Sequence, residues 1–339
     1  MVKIAVAGGS GNIGQEIIDA LIATQKHEIL LLSRKVYCLL ASQSRFLGSQ
    51  VDRFSKDAPS EDVLNRVRWV KVDYNDPKQL AQVLQGVHTL LSFTILQEDP
   101  LSPVQKNLID AAVQAGVKRF APSEWGSSNL EHLSWYAYKG ETRRYLEELN
   151  KDKKVLEYTL FQPGFMMNYL TRPHKSSKHL QQIDTPWDLY NRRFIVMDGS
   201  DDHIITLTTV QDLANVVARA IDFEGEWPVV GGIKGTDISM GQFARLAESV
   251  RGGTPFKIER LKKNDLLSGE WKTSWLPKVE HPSIPSGQLD MMSRVIVSGL
   301  VLGISAKDFV VSDEWNQLLP DYKFTQAEDF LAEAWQGKP

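Results

Sequence analysis

The sequence contains little cysteine and no long apolar stretch. Its 339 residues include one cysteine, Cys38, so an internal disulfide and a cysteine-rich zinc site are both excluded. No apolar run approaches the roughly 18 residues that a membrane-spanning helix requires. The apolar segment Val2–Ala7 is too short for a secretory signal, and glycines follow it at once. We therefore expect a cytoplasmic protein that does not bind membranes.

The chain also lacks a dominant charge. Its formal net charge of -3 gives no general attraction for nucleic acid or for anionic lipid. The histidines are not arranged in the close pairs that are typical of metal sites, so we expect no metal. A small molecule is the expected partner, and the sequence leaves both a monomer and a homodimer open.

Strand patterns and helix patterns alternate through the first half of the chain. Apolar stretches predict strands, and amphipathic stretches between them predict helices. The predicted strands are 2–7, 28–32, 67–72, 89–94, 119–121 and 157–161, and the predicted helices are 15–25, 77–85, 104–115 and 138–149. This alternation predicts an α/β fold with a Rossmann-type, doubly wound parallel sheet.

The second half is less regular. Its clearest elements are a predicted strand at 204–209 and predicted helices at 210–221 and 239–250, the latter capped by Ser239. We expect a dinucleotide-binding domain over 1–161 and a smaller, irregular substrate lobe over 162–339 that partly returns to the core. The connection 36–66 lacks a helical pattern, and an inserted loop, a disordered stretch and wrongly included sequence all remain open.

A glycine-rich turn follows the first predicted strand and opens the first predicted helix. Gly8 permits the tight turn, Gly11 lets the backbone approach a pyrophosphate, and Gly14 permits close packing of helix on strand. The helix N-terminus then offers free N–H groups to phosphates. The predicted dinucleotide-binding residues of this turn are Gly8, Gly9, Ser10, Gly11, Asn12, Ile13 and Gly14.

The end of the second predicted strand favours NADP(H) over NAD(H). NAD-binding proteins place an acidic residue there for the ribose 2′-hydroxyl, whereas this chain has Ser33, Arg34 and Lys35. Arg34 suits a bidentate grip on a 2′-phosphate and Lys35 adds charge, although a solvated basic turn has the same composition. Asp73 and Tyr74, which follow the third predicted strand, are expected near the adenine. Phe93 and Thr94, which end the fourth predicted strand, are expected beside the adenosine and pyrophosphate.

Five stretches of sequence resemble the isoflavone reductase-like and NmrA-like group of atypical short-chain dehydrogenases, and its fungal members most. They are Gly-Val-His-Thr-Leu-Leu-Ser-Phe at 86–93, Phe-Ala-Pro-Ser-Glu-Trp-Gly at 120–126, Lys139 followed by Arg143-Arg144, Thr-Leu-Phe-Gln-Pro-Gly-Phe-Met at 159–166, and Ile-Thr-Leu-Thr-Thr-Val-Gln-Asp-Leu-Ala at 205–214. The resemblance covers nearly the whole chain except 36–66 and the region around 266–300.

The resemblance implies that Lys139 is the catalytic lysine. A lysine near the nicotinamide ribose, with its pKa lowered by burial and by the cationic ring, can relay a proton as hydride moves. Trp135 occupies the position of the usual short-chain dehydrogenase tyrosine, which fits a group that relies on lysine without that tyrosine. A surface helical lysine is the alternative interpretation of Lys139.

Residues after the fifth and sixth predicted strands are the candidates for the rest of the site. Ser123 is expected either to bond the nicotinamide region or substrate, or to cap a helix, and Pro163 is expected beside the cofactor. The substrate candidates are Trp125, Gln162, Phe165, Met166 and Asn168. A lining rich in aromatic residues and methionine suits a flat phenolic or polyketide-like ligand, but packing inside the core would use the same residues.

Three functions are compatible with these patterns. The first is an NADPH-dependent reductase of a small aromatic or conjugated metabolite of secondary metabolism, with Lys139 as proton relay. The second is an NmrA-type redox sensor that binds the dinucleotide without turnover, and the third is a non-redox enzyme of the same fold. Lys139 favours the first, because a sensor does not need that lysine.

Overall fold

The computed structural model describes residues 1–34, 66–94, 101–280, 284 and 287–339. Lys35 and residues 36–65 of the connection 36–66 lie outside the described residues. Among the described helices, none combines the length and the apolar character needed to cross a membrane. The chain divides into two compact units. Unit 1 comprises Met1–Glu124, Tyr138–Leu160 and Ala214–Val229, and unit 2 comprises Trp125–Ala137, Phe161–Leu213 and Val230–Pro339.

Unit 1 is built on a six-stranded sheet. Its strands are β1 (Lys3–Ala7), β2 (Glu28–Ser33), β3 (Val67–Lys71), β4 (Thr89–Ser92), β5 (Arg119–Ala121) and β6 (Glu157–Tyr158). They lie in the order β3-β2-β1-β4-β5-β6, and every neighbouring pair is parallel. Parallel strands covered on both faces need apolar residues throughout, and Ile4–Ala7 are indeed fully buried. The predicted Rossmann-type sheet is confirmed.

Unit 1 also contains helices, and all but the last of them connect consecutive strands of this sheet. They are α1 (Asn12–Ala23), α2 (Pro77–Val83), α3 (Pro103–Ala115), α4 (Ala137–Leu149, in this unit from Tyr138) and α5 (Val210–Asp222, in this unit from Ala214). Asp76 caps α2 by accepting from the N–H groups of Lys78 and Gln79. Buried faces of α2, α3 and α4 pack in one core through Leu80, Leu108 and Leu146.

The strand order reverses direction between β1 and β4. The chain moves outward from β1 through β2 to β3 and then returns to β4 on the other side of β1. The two connecting segments that leave this point diverge, which opens a crevice at the carboxyl ends of the strands. The segments that follow β1 and β4 are therefore the ones positioned to contact a ligand.

Unit 2 contains small sheets and further helices. Its strands are β7 (Leu160–Gln162, from Phe161), β8 (Phe165–Met166), β9 (Trp187–Asp188), β10 (Arg193–Met197), β11 (Ile204–Thr208), β12 (Val230–Gly232), β13 (Thr236–Ser239) and β14 (Lys257–Leu261). They pair as β14-β10-β9, β13-β11-β8 and β12-β7. The helices are α6 (Met240–Val250), α7 (Lys263–Ser268), α8 (Leu289–Ser305), α9 (Glu314–Leu318) and α10 (Ala327–Trp335), with 3₁₀ turns at Ser134–Tyr136 and Met167–Thr171.

The two units do not coincide with the expected division into 1–161 and 162–339. Residues 125–137 group with unit 2, and residues 214–229 group with unit 1. The grouping of residues 214–229 with unit 1 is explained by contacts of Arg119. Arg119 donates hydrogen bonds to the main-chain oxygens of Phe223 and Gly225 and stacks its guanidinium over the Trp227 ring. These contacts tie the segment that follows α5 to the edge of the parallel sheet.

Candidate active site

The glycine turn after β1 is packed so tightly that side chains are excluded from three positions. Gly8 has a φ of +73°, and a Cβ there would lie 2.9 Å from the backbone of Phe93 and Thr94. A Cβ on Gly14 would lie 2.9 Å from the Cα of Gly9, and one on Gly9 would press on side chains of β1 and α1. The turn, the end of β4 and the first turn of α1 therefore fit together only with glycine at these positions.

Gly11 differs from the other glycines of the turn. A Cβ there would meet only the Gly8 oxygen, at 3.6 Å, and both Gly11 and Ser10 are exposed. Gly11 is the N-cap of α1, no side chain caps the helix, and its first turn has no acidic residue. The first N–H groups of a helix lack intrahelical partners and attract anions. The turn thus fits a pyrophosphate, which the residues Gly8–Gly14 would hold through backbone N–H groups.

Tyr74 ties the turn to the neighbouring strands. Its hydroxyl donates to the Leu32 oxygen at 2.9 Å and accepts from the Gly8 N–H at 3.2 Å. Burial raises the pKa of Tyr74 to about 12, although the Gly8 N–H and the positive charge of Arg34 act against the rise. Arg34 itself is exposed. The sequence analysis expected Tyr74 near the adenine together with Asp73, but it gave no indication of the hydrogen bonds that Tyr74 makes to the turn and to β2.

Ser33, at the end of β2, and Asp73, two residues after β3, lie in different surroundings. Ser33 is the last residue of β2 and is half-buried. Asp73 is exposed, and its carboxylate accepts from the Asn75 N–H at 2.9 Å. Its own N–H donates to the Gln79 side chain at 2.6 Å. The carboxylate therefore shapes the local turn before α2.

The segment after β4 is held by a buried glutamine. The side-chain amide of Gln105, on α3, donates to the hydroxyl groups of Ser92 and Thr94 at 2.8 and 2.6 Å. Phe93, which is buried, donates its N–H to the Ala7 oxygen at 2.7 Å. These bonds fix Phe93 and Thr94 directly beside Gly8. Gln105 belongs to no sequence motif, so its role in holding this segment became visible only in the folded structure.

Lys139 is buried beside the end of β5. Its side chain lies on α4, is 3% exposed, and donates from Nζ to the main-chain oxygen of Glu124 at 2.5 Å. The Glu124 side chain, also buried, forms a double contact with the Arg143 guanidinium, Nε to Oε2 at 3.3 Å and Nη2 to Oε1. Three ionisable residues are thus brought together in unit 1. The sequence analysis assigned a role to Lys139 alone. Glu124 and Arg143 occurred in the stretches that resemble the family, but no role was assigned to them.

The surroundings of Lys139 favour its neutral amine. Burial lowers the pKa of Lys139 to about 8, the negative charge of Glu124 opposes the change, and the positive charge of Arg143 adds to it. A lysine with a pKa near neutrality can both release and accept a proton under physiological conditions. The buried position does not fit the alternative of a solvated surface lysine.

Ser123 and Trp125 lie on either side of Glu124 in the chain. Ser123 is buried in unit 1. Trp125, in unit 2, has a φ of +39°, which is costly for a bulky residue. Its ring stacks on Phe161 with centroids 5.4 Å apart. This stacking holds the indole in place despite the strained backbone.

The substrate candidates after β7 are all buried in unit 2. Phe165 meets the Trp187 ring edge-on at 5.1 Å, and Met166 pairs with Thr208 in the sheet. Asn168 is fully buried, accepts from the Val210 N–H at 2.8 Å and donates to the Gln211 side chain at 3.1 Å. The remaining members of this segment are also buried, namely Gln162 and Pro163.

The described residues contain no cluster of three or more histidine, cysteine, aspartate or glutamate side chains suited to a metal ion. The candidate site in unit 1 consists of two parts. One is a backbone cradle at the β1–β4 crevice, and the other is the buried group formed by Lys139, Glu124 and Arg143. Both lie at the carboxyl ends of strands of the same sheet.

Comparison with known proteins gives matches over most of the chain. The model of the NmrA-like family matches residues 2–264. Oxidoreductase BOA1 of Botryotinia fuckeliana is 32% identical over 225 residues, which cover 65% of this chain and 67% of that protein. Oxidoreductase swnN of Metarhizium robertsii is 25% identical and covers 100% of this chain and 98% of its own.

Solved structures with the same fold cover nearly the entire chain. A structure of AtPrR2 with NADP⁺ and (+)-pinoresinol has a TM-score of 0.66 at 16% identity, with 98% of each chain covered. The NADPH-dependent quinone oxidoreductase of Escherichia coli in complex with NADPH has a TM-score of 0.66 at 21% identity over 98% of each chain. Isoflavone reductase has a TM-score of 0.64 at 17% identity and the same coverage.

Proposed function

The chain belongs to the NmrA-like family, and from this premise we propose that it is an NADPH-dependent oxidoreductase that reduces a small aromatic or conjugated molecule. The observation that carries the proposal is Lys139, an amine buried at the carboxyl edge of the dinucleotide-binding sheet with its pKa near 8. Relatives of this family that are named oxidoreductases support the reaction class.

Most of the cofactor contacts in this proposal lie in unit 1. The backbone of Gly8–Gly14 holds the pyrophosphate, and Arg34 with Lys35 and Ser33 receives the 2′-phosphate. The proposed remaining cofactor contacts are Asp73, Phe93, Thr94, Ser123, Lys139 and Pro163. The fit rests on the N-terminus of α1, which no side chain caps, and on the exposed Gly11, where a Cβ would meet only the Gly8 oxygen at 3.6 Å. Similar folds that were solved with NADP⁺ or NADPH add support.

NADPH supplies the hydride when bound, and Lys139 supplies the proton. Below about pH 8 the Lys139 amine is protonated, and it can donate to the atom on which negative charge develops as hydride arrives. In the reverse direction the neutral amine accepts a proton. The buried contact with the Glu124 oxygen holds Nζ in one place between the two states.

The aromatic substrate class is the finer part of the proposal. Buried aromatic and sulfur-containing residues at Trp125, Phe165 and Met166 suit a flat ligand, with Gln162 and Asn168 as further proposed contacts. A structure of the same fold was solved with NADP⁺ and (+)-pinoresinol, which supports a small-molecule substrate.

A substrate screen tests the proposal. Purified protein is mixed with NADPH and with phenolic or polyketide-like compounds, and NADPH absorbance is followed. We expect at least one compound to be reduced, and we expect Lys139→Ala to lower kcat by roughly 10²–10⁴-fold, the usual loss when an acid–base group is removed. The variant should still bind NADPH, because the backbone of the glycine turn and Arg34 remain in place. Unchanged turnover in Lys139→Ala would overturn the mechanism, and tight NADPH binding without any turnover would favour the redox sensor.

A further inference from the structure

An ion pair beside Lys139, between a buried carboxylate and a partly exposed guanidinium, has no part in the proton transfer described above. Glu124 is 2% exposed, and the side chain of Arg143 is 18% exposed. The guanidinium contacts both carboxylate oxygens. Burying two charges is costly, and apolar residues of similar volume often stabilise a fold equally well. A contribution of this pair to the neighbouring lysine would account for its presence.

The pair is linked to Lys139 through two different connections. Glu124 accepts from Lys139 Nζ with its main-chain oxygen and binds Arg143 with its side chain. Arg143 follows Lys139 by four residues on α4, so the two side chains lie on the same face of that helix. Arg143 therefore anchors the residue that receives the lysine hydrogen bond.

A second ion pair in unit 1 serves as a comparison. Arg119 binds Glu157 and also donates to the main-chain oxygens of Phe223 and Gly225. Those bonds join separate chain segments, which is a structural role. Both partners in the Glu124–Arg143 pair instead adjoin the one buried lysine of the site.

We propose that Glu124 and Arg143 are positioning residues that orient the Lys139 amine and set the pH at which it exchanges its proton. This inference rests on the proposed function, because Lys139 must act in turnover for its proton exchange to matter. The two charges act in opposite directions. Glu124 stabilises the ammonium and Arg143 destabilises it, while burial is the largest influence on the pKa of Lys139.

Charge-removing variants should therefore move the pKa of Lys139 in a fixed order. Arg143→Gln removes the destabilising charge and frees the Glu124 carboxylate, so the pKa should rise by about one unit. Glu124→Gln keeps the shape and the main-chain oxygen, and the pKa should fall by more than it rises in Arg143→Gln. In the double variant the pKa of Lys139 should lie between its values in wild type and in Glu124→Gln, because the charge of Glu124 acts on Lys139 more strongly than that of Arg143.

The measurement is an NMR titration of the full chain without substrate. Lysine labelled with ¹³C at Cε reports each amine directly, and Lys139→Arg assigns the signal. Arg144→Gln is the matched control, because Arg144 is the next residue on α4 and its side chain is 70% exposed. The control should leave the pKa of Lys139 unchanged. Arg143→Lys, which retains the charge, should restore a value close to that of wild type.

Arg143→Gln leaves a buried carboxylate without its partner and can fail to fold. The double variant removes both charges and avoids that problem, so the predicted order remains testable with it and with Glu124→Gln. The inference is overturned if Lys139 titrates at the wild-type pH in Glu124→Gln and in the double variant. The inference is supported if the pKa of Lys139 follows the predicted order among the variants and the pH profile of turnover shifts in the same direction.

Failure of the inference and failure of the proposed function give different results. If the Lys139 pKa shifts in the predicted order but Lys139→Ala retains full turnover, the proposed mechanism is wrong and the electrostatic role of the pair stands. If Lys139→Ala loses turnover while the pKa of Lys139 ignores both neighbours, the mechanism stands and the positioning role is overturned.

Discussion

The glycine turn and the Lys139 group are held by different kinds of interaction. Backbone atoms form the turn, where a missing Cβ allows β1, β4 and α1 to approach. Side-chain charges form the Lys139 group, where burial and two neighbours set the pKa. The turn therefore needs a particular shape, whereas the lysine needs a particular electrostatic environment. Substitutions in the glycine turn should therefore impair folding and cofactor binding. Substitutions in the Lys139 group should impair proton transfer.

The largest expected effect on stability lies in the turn. Gly8→Ala should lower the free energy of unfolding by about 2–4 kcal/mol, from the left-handed φ and from contact with the backbone of Phe93 and Thr94. Gly86 is a matched control, because its φ is also +73° but no atom lies near its missing Cβ. Gly86→Ala should cost only about 1–2 kcal/mol. Urea denaturation measures both, and equal losses would show that packing at Gly8 is unimportant.

The Lys139 group should show the opposite behaviour. Lys139→Met should raise the free energy of unfolding at pH 7, by about 3 kcal/mol, because the pKa of this buried amine lies near 8 instead of 10.5. Between those values the unfolded chain binds more protons than the folded chain, so wild-type stability rises with pH and the advantage of the variant disappears. Urea denaturation from pH 7 to 10 tests this.

An exposed lysine provides the control for that experiment. Lys153 is exposed, and Lys153→Met should change stability little at any pH. A stability difference for Lys139→Met that stays constant from pH 7 to 10 would contradict the lowered pKa.

The third prediction concerns the exposed charge beside the turn. Arg34→Ser should weaken NADPH binding roughly 10- to 100-fold, the effect of losing hydrogen bonds to a charged group, and should leave NADH binding unchanged. Arg68→Ser, an exposed arginine on β3, is the control and should change neither. Fluorescence titration with both cofactors measures the ratio. An equal loss for NADPH and NADH would refute the assignment of the 2′-phosphate to Arg34.

The smallest effect is expected at Gly11, where the turn is open. Gly11→Ala should retain wild-type stability, because the added methyl meets only the Gly8 oxygen at 3.6 Å. It should lower NADPH affinity about tenfold by keeping the pyrophosphate from the backbone. Gly14→Ala is the contrasting variant, because its Cβ would press on Gly9 at 2.9 Å and destabilise the fold. If Gly11→Ala binds NADPH with wild-type affinity, the pyrophosphate does not lie against the backbone at Gly11.

Local patterns predicted several elements in both halves of the chain. The predicted strand at 119–121 has those bounds in the structure, the helix predicted at 104–115 begins one residue earlier, and Ser239 caps α6 with its full capping box. These features depend on residues close in sequence. The resemblance to the NmrA-like family is also confirmed.

Helix α8 was not predicted. Its segment is rich in β-branched residues and contains Gly299 and Gly303, which disfavour a helix in isolation. In unit 2 the missing Cβ of Gly299 makes room for the Trp135 ring, and Val297 and Val301 are buried. Tertiary packing thus overrides the local preference.

The sequence did not reveal how the partners of Lys139 are arranged. The contact between Glu124 and Arg143 spans 19 residues and depends on how the loop after β5 meets α4. Tyr74 is a similar case, because its bond to Gly8 joins positions 66 residues apart. No spacing rule links such positions, and only the folded chain brings them together.

The pH dependence of hydride transfer in a single turnover tests the central claim most directly. The claim is that Lys139 donates the proton during reduction from an amine whose pKa is near 8. NADPH and a substrate found in the screen are mixed with excess enzyme from pH 6 to 10. We predict a rate that is constant at low pH and falls about tenfold per unit as pH rises above about 8. A rate that is independent of pH across this range would contradict the claim.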